Sequence, residues 1–532
     1  MTQGHEGLLR RMAIQWLPSL ASHHPTYPWY VLITVMLSTF MVVLDGTIVN
    51  VAIPTIMAAF GQTINQVVWV STAYLIALSV LLAISAWLSE HFGAKKVYLI
   101  GLLIFIFSSY LCGIAWNIEA LIFFRVLQGI GGGILTPVGM ILFTNEFAKE
   151  KRTVALGFYS IAIAAAISLG PSVGGYLIET INWKWIFFIN LPFGALTLVM
   201  GWVILKRTFR KIIHAFDLGG LLSLITFLVA LFVGISSGNA PWNAEGWSSL
   251  FTLLCFLISF VSLIFFIWIE LKVRFPIVDL RIFKDRNFLM GNIVLFIFSF
   301  TLFGSSFLLP LYMQNGLNYS QLQTGLILLP IGLAQGIFGG LSGWLAKKVP
   351  PMFLVMGSII LLALTYQFNS RFTLYTSEHT MICLFIARGI AMGILFAPLV
   401  AITLSTIPES KIYQATGLFT VQRQIGAALG VAIFETNLTV RQVYHTAAIG
   451  ATVDTSSPLF DRVQTLLETT GFTQCGKNIF EAAVHAQQVI IGLAQKQIFI
   501  QSIDDNLLIA GIITIFSCVP LFFLTKKGSQ KL

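Results

Sequence analysis

Long apolar runs, separated at fairly regular intervals by short clusters of charged and small residues, make up most of the chain from Tyr30 onward. About 20 predominantly apolar residues carry a helix across a bilayer. Runs of that kind lie near 30–57, 66–89, 96–116, 118–144, 153–178, 185–205, 216–237, 247–271, 288–312, 322–346, 352–370, 379–405, 413–437 and 506–525. The pattern predicts an all-α membrane protein with fourteen transmembrane helices.

The basic residues support that count. With the N-terminus on the cytoplasmic side, 22 of the 31 lysines and arginines fall in inner segments and six in outer ones. The remaining three, Arg125, Arg388 and Arg423, lie within spans. Adding or losing one helix would scramble this alternation, so the excess of inner positive charge predicts that both termini are cytoplasmic. Residues 1–29 read as a cytoplasmic segment with an interfacial helix. A cleaved signal peptide is the alternative, disfavoured because Trp16 and Pro18 interrupt the apolar stretch.

Composition agrees: 57% of residues are hydrophobic and 10% charged, against roughly 25% charged in a soluble protein. The net charge of +10 follows from the inner clusters and suggests contact with anionic lipid, not with nucleic acid. The five cysteines are scattered, and only Cys475 lies in a long polar segment, which excludes a disulfide framework.

The chain repeats itself weakly. "ALGFYSIAIAAAISLGP" from Ala155 matches "ATGLFTVQRQIGAALGV" from Ala415 at an offset of 260, and "AWLSEHFG" from Ala86 matches "GWLAKKVP" from Gly343 at 257. Arg125 and Arg388 lie 263 apart. Three matches in order at nearly one offset predict two related six-helix halves, 30–206 and 276–525, with two inserted helices within 207–275 and a tail at 526–532. Parallel halves of this kind are a transporter architecture, with the substrate path between them near the midplane.

Among the acidic residues, Asp45 lies deepest within a predicted span. Glu146, Asp217, Glu270 and Glu435 fall near expected span ends, where water is available. A charged side chain at the centre of a bilayer costs about 2.5–3.5 kcal/mol on insertion scales, and an ionisable residue there is by default functional. At 1.5 Å per residue, Asp45 sits roughly 18 Å from the outer end of span 1, and Arg125 roughly 10 Å inside span 4. An arginine that long could approach the carboxylate. Burial and a nearby guanidinium act on a carboxyl in opposite directions, so small rearrangements could load or release a proton. A static clamp between helices is the alternative.

Three further sets of residues stand out. Gly170, Pro171, Gly174 and Gly175, in "GPSVGGYL", combine a helix-bending proline with small residues that let a second backbone approach. Glu90, Gly93 and Lys95, in "SEHFGAKK", place an acid and a lysine around a tight turn that could dock on neighbouring helix ends and latch one conformation; positive-inside topology alone also explains the lysine. Arg423 and Gln424 in span 13, with Asn50 in span 1, could line the central path, or in the case of the first two bind their own carbonyls.

No histidine lies in mid-span, no metal-ligand spacing is present, and there is no phosphate-binding loop or hydrolytic elbow. The chain therefore reads as no enzyme, with no cofactor and no metal, and its energy source as an ion gradient.

These stretches resemble the fourteen-span drug:proton antiporters of the major facilitator superfamily, the EmrB/QacA group. The resemblance rests on "LDGTIVNVAIP" in span 1, "WVSTAYLIA" from Trp69, "RVLQGIGGG" from Arg125, "LGPSVGGYLIETINWKWIFFINLPFG" from Leu169, "PIVDLRIFKDRNF" from Pro276 and "ATGLFTVQRQIG" from Ala415. It implies a major facilitator fold and proton-coupled efflux of small hydrophobic or amphipathic substrates, of the multidrug resistance type. Asp45 would be the essential acid, Arg125 its buried basic partner, and Gly170, Pro171, Gly174 and Gly175 the antiporter motif. The latch departs from the family, with Ala86, Glu90, His91 and Ala94 where Gly, Asp, Arg and Arg are usual, and Lys347 stands where an acid is common.

Residues 438–505 form a 68-residue outer loop with two helix-like stretches. Long loops are usually functional, and EmrB-type pumps with a similar loop resemble partners of a periplasmic adaptor protein and an outer-membrane channel. That implies a multi-pass protein of a bacterial inner membrane, with a mobile lid as the alternative role for the loop. In the same fold, a narrow-specificity exporter of one metabolite, siderophore or fatty acid is the rival reading. A non-transporting membrane receptor is a third.

Overall fold

The computed structural model describes residues 24–524 except 148, 207–216, 239, 241, 275, 278, 409–410, 453–457 and 476–478. The expected interfacial helix of the N-terminal segment and the tail at 526–532 lie outside the described residues, as does the side chain of Glu90.

Among the described residues the regular structure is entirely helical. Among the described residues, long helices overlap each expected span: α1 Tyr27–Phe60, α2 Trp69–Phe92, α3 Ala94–Gly113, α4 Ile118–Thr144, α5 Lys149–Thr180, α6 Asn190–Ile204, α7 Leu218–Ser237, α8 Leu250–Lys272, α9 Arg286–Leu311, α10 Gln321–Lys348, α11 Pro351–Asn369, α12 Glu378–Leu404, α13 Ile412–Thr452 and α15 Ile479–Phe516, the last beginning well before the expected 506. Helix α14, Pro458–Cys475, lies between the last two. Twelve of these, counting α6 with the helical turn Trp185–Phe188 before it, are long and apolar enough to cross a membrane. Helices α5 and α13 both pack on helices from either side of the inserted pair.

Local chemistry sets the helix ends. Asn117 caps α4 by accepting from Ala120 N at 2.8 Å, and Ser320 with Gln323 forms a capping box at α10. Gly61 ends α1 in the left-handed conformation (φ 63°). Gly93 (φ 89°) allows the abrupt turn between α2 and α3. Pro192 has no amide hydrogen and crowds the preceding turn, which explains why helix breaks at Ile189 and restarts at Asn190.

The packing follows the repeat. Helix α5 packs on α10, while α13, its sequence relative, packs on α2, the relative of α10. Glycines make these crossings possible. A Cβ at Gly170 would overlap the Thr47 side chain, at Gly174 it would come within 2.6 Å of Ile48, and at Gly175 it would overlap the backbone of Gln321 on α10. The inserted pair docks through α7, which touches α2 and α13, whereas α8 leaves a broad apolar face exposed, including Leu250, Leu257 and Phe260.

Among the described residues, hydrogen bonds that join helices before the inserted pair to those after it gather at the Phe60 end of α1. Gln314 donates to Val51 O (3.3 Å) from a π-helical turn at the end of α9, and Gln321 donates to Thr55 (3.2 Å). Ser172 donates to Gly325 O (2.8 Å), and Leu322 N donates to Glu179 (3.1 Å).

The expected loop 438–505 is mostly helix. Helices α13 and α15, with 41 and 38 residues, are roughly 60 Å long at 1.5 Å per residue, about twice the hydrocarbon thickness. Thr439 is hydrogen-bonded to Asn65 at 3.5 Å, level with the α1–α2 connection, so residues beyond it form an arm past the Phe60 end. Asp505 ties the arm's base, meeting Arg441 at 3.5 Å and His445 at 2.9 Å.

At the opposite end, Lys95 buries its ammonium against α6, donating to the carbonyls of Trp202 and Leu205 at 2.6 Å each. A cation on the last carbonyls of a helix satisfies acceptors that have no partner within it. Hydrogen bonds of charged groups contribute about 1.5–3 kcal/mol each. Replacing Lys95 with Met should lower the thermal unfolding temperature in detergent measurably, while the same change at exposed Lys96 should leave it unmoved.

Candidate functional site

Five helices converge on Asp45, which is fully buried. Arg125 on α4 forms an ion pair with one carboxylate oxygen through Nη1. The other oxygen accepts two amide hydrogens, from Gln128 Nε2 at 2.9 Å and from Asn190 Nδ2 at 2.8 Å. Gln128 and Asn190 also donate to Ser109 Oγ, at 3.1 and 3.0 Å, and Ser109 passes its own hydrogen to Phe187 O at 2.8 Å, beside the break before α6.

Arg125 is held from every side. Its Nε donates to Val70 O (3.0 Å) and its Nη1 also reaches Gln128 Oε1 (2.7 Å). The guanidinium lies 4.1 Å from the Tyr74 ring centroid and 5.8 Å from that of Phe187, an arrangement that stabilises a cation out of water. Tyr74 is fixed by donation to Val42 O at 3.1 Å. Nη2 has no hydrogen-bond partner. The carboxyl and the guanidinium are both fully buried. The site is therefore a dry, closed charge pair.

The structure thus brings together Asp45 and Arg125, as expected from their depths. Sequence reading did not find Gln128, Asn190, Ser109 and Tyr74. Gln128 lies one turn after Arg125, and Asn190 opens a helix just before a proline; these are the two signals that could have exposed them.

The other candidates lie elsewhere. Gly170, Pro171, Gly174 and Gly175 line the α1–α5–α10 contact. Gly93, in the turn between α2 and α3, and Lys95, on α3 with its ammonium against α6, stand at the far end from the Asp45 cluster. Arg423 comes within electrostatic reach of Tyr159 on α5, whose hydroxyl accepts from Thr39 at 3.2 Å; this joins α1, α5 and α13 near the middle of α1. Asn50 and Gln424 are buried.

One expectation is corrected. Glu435 was expected at a watered span end, but it is 5% exposed, and its Oε1 has no hydrogen-bond partner. Helix α13 does not end near 437; it continues to Thr452, and Glu435 lines a small cavity together with Trp69 and Thr72 of α2 and Ser236 of α7. Asp217 and Glu270 are buried as well, whereas Glu146 keeps partial exposure and pairs with Lys206 at 2.8 Å.

The sequence profile of the Major Facilitator Superfamily matches residues 35–431, which includes the whole Asp45 cluster. The chain belongs to this superfamily. The multidrug export protein EmrB of Haemophilus influenzae is 32% identical over 471 residues, 87% of this chain and 91% of that protein. EmrB of Escherichia coli K12 is also 32% identical, covering 90% and 94%. The fatty acid resistance protein FarB of Neisseria gonorrhoeae is 30% identical, covering 93% and 96%. The expected EmrB type is borne out, and with it efflux transport by a multi-pass membrane protein. A bacterial homologue of the human lysosomal transporter Spinster shares the fold, with a TM-score of 0.60 at 14% identity, covering 94% of this chain and 98% of that one.

Removing one partner of a buried ion pair destabilises by about 3–5 kcal/mol, because it strands the other charge. Asp45→Asn should therefore lower the unfolding temperature strongly, and Asp45→Asn with Arg125→Gln should recover part of that loss. Thermal unfolding in detergent checks both; equal losses in the single and double variants would contradict this charge balance.

Proposed function

We propose that the protein exports hydrophobic and amphipathic compounds in exchange for inward-moving protons, with Asp45 as the proton carrier and Arg125 as the partner that favours its charged form. The observation that carries this reading is the single dry carboxylate held by a guanidinium and two amides in the membrane interior. Protonation would remove the ion pair and weaken both amide bonds, freeing α1 from α4 and α6. Deprotonation would restore them and draw these helices together.

In this reading the halves are 30–206 and 276–525, and the Phe60 end faces outside, in keeping with the distribution of basic residues. In the same reading the hydrogen bonds at that end would help to close the outer side. The glycines of α5 let the outer ends of α1, α5 and α10 seat closely, and Lys95, Gly93 and Glu90 belong to the inner face. Arg423, Gln424 and Asn50 would border the substrate path. The names of the EmrB relatives support multidrug export, and this reading places the protein in a bacterial inner membrane. The FarB name favours a second reading, a dedicated exporter of fatty acids.

In inverted vesicles, a proton gradient should drive uphill uptake of a hydrophobic dye, and adding substrate should release protons. Asp45→Asn should abolish both. Intact uphill transport with intact proton exchange in that variant would refute coupling through Asp45.

The arm suits a periplasmic adaptor that leads to an outer-membrane channel. Its exposed apolar residues include Val443, Tyr444, Leu466 and Ile491, more apolar surface than a water-facing hairpin needs. Leu466→Glu with Val443→Glu should abolish crosslinking to the adaptor and leave vesicle transport unchanged; unchanged crosslinking would make the arm a lid.

A further inference from the structure

The sequence repeat carries the Asp45 site into the second half with one decisive change. At the offsets already noted, Arg125 corresponds to Arg388 (263), Ser109 to Tyr366 (257) and Asp45 to Ser305 (260). The structure gathers the three counterparts as it gathers the originals. Arg388 Nη2 donates to Ser305 Oγ at 2.7 Å, and Ser305 donates to Tyr366 Oη at 3.1 Å. The guanidinium lies 5.2 Å from the Tyr366 ring centroid.

The carboxylate is missing. Arg388 is 1% exposed, and its other hydrogen bonds are long ones, to Ser306 Oγ at 3.4 Å and Leu302 O at 3.5 Å. Its Nε and Nη1 have no hydrogen-bond partner. Among the described residues no carboxylate forms an ion pair with it. Asn369, one turn beyond Tyr366 on α11 and fully buried, has neither amide atom bonded. In the first half a carboxylate accepts from the guanidinium; around Arg388 the acceptors are neutral, one hydroxyl at 2.7 Å and two longer contacts.

An arginine stays protonated in proteins, and a buried charge without a partner costs several kcal/mol. We propose that Arg388 is an anion site, in which a monovalent anion supplies the charge that Asp45 supplies to Arg125. The chemistry fits the carboxylate head of an amphipathic acid, or a halide ion of the same charge. The first of these rests on the efflux reading, since it makes the acid a substrate. The site is sealed in this conformation, so entry requires α9, α11 and α12 to part during the cycle.

The test is thermal unfolding of the purified full chain in lipid nanodiscs, in sulfate buffer at matched ionic strength, with sodium chloride, sodium octanoate or the uncharged analogue octanol added. Chloride or octanoate should raise the unfolding temperature of the wild type by a few degrees, and octanol should not. Ser305→Asp, which supplies the carboxylate in place, should unfold at a higher temperature without added anion and should lose the anion response. Arg388→Gln should lose it too; if that variant does not fold, Ser305→Asp carries the comparison. A response to octanoate beyond that to chloride assigns the site to an acid head group, and a response to chloride alone assigns it to an inorganic ion. No anion response in the wild type, or the same response in Ser305→Asp, overturns the proposal. The readout is binding, so a failure of transport in vesicles would count against the efflux reading and not against the site.

Discussion

A charge inside a bilayer has no water to solvate it, so the protein must supply the whole solvation shell. For Asp45 that shell comes from four other chain segments: Arg125 and Gln128 on α4, Asn190 at the start of α6, and Ser109 on α3, with Tyr74 of α2 stacked on the guanidinium. No two of these helices can shift relative to α1 without stretching a bond to the carboxylate or to a group that holds it. The pair therefore fixes the interior of the first half more firmly than apolar packing could. In lipid, burial between helices brings little hydrophobic gain, because the tails are as apolar as the side chains.

Helix α5 donates nothing to this shell, yet it is placed to sense it. Its Gly170 and Gly174 touch Thr47 and Ile48, two and three residues beyond Asp45 on α1, and Gly175 meets the backbone of α10. On α1 these contacts run to the side chains of Thr47 and Ile48 and on α10 to the backbone of Gln321, so α5 lies between α10 and the turn of α1 that bears the carboxylate. This chain of contacts runs through two discrete elements, a charge pair and a backbone crossing. Coupling between distant sites needs such elements, since mere proximity along a path carries no energy.

Much of this was legible in the sequence. Charged residues stand out in apolar runs, so Asp45 and Arg125 announced themselves, and the helical rise alone set their depths near enough to meet. Neutral polar residues do not stand out, because Ser, Asn and Gln are ordinary in membrane helices, and whether one faces the carboxylate depends on helix rotation. Gln128 and Asn190 were missed for that reason. The glycines of α5 were legible as a close-packing surface, but not the identity of the surface they meet, since α10 lies 150 residues on. Glu435 was misread for a different reason. A polar stretch after an apolar run marks the end of the lipid zone and not the end of the helix, and α13 runs on for fifteen residues beyond 437.

The two halves also separate what packing shares from what charge divides. Gly170 and Gly430 occupy equivalent positions in α5 and α13, and each sits against the helix that opens its half, α1 at Thr47 and α9 at Phe300. At this one crossing the close contact is duplicated, whereas Pro171, Gly174 and Gly175 give way to Val431, Phe434 and Glu435. The ionic design is not duplicated: Asp45 becomes Ser305 and Gln128 becomes Ala391, while the arginine is kept in both. Had the second arginine served only to knit helices, a neutral side chain of the same volume would do so without the desolvation penalty. Keeping the cation while giving up its carboxylate leaves that half needing a negative charge from elsewhere, and leaves its counterpart as the half whose charge the chain itself can set.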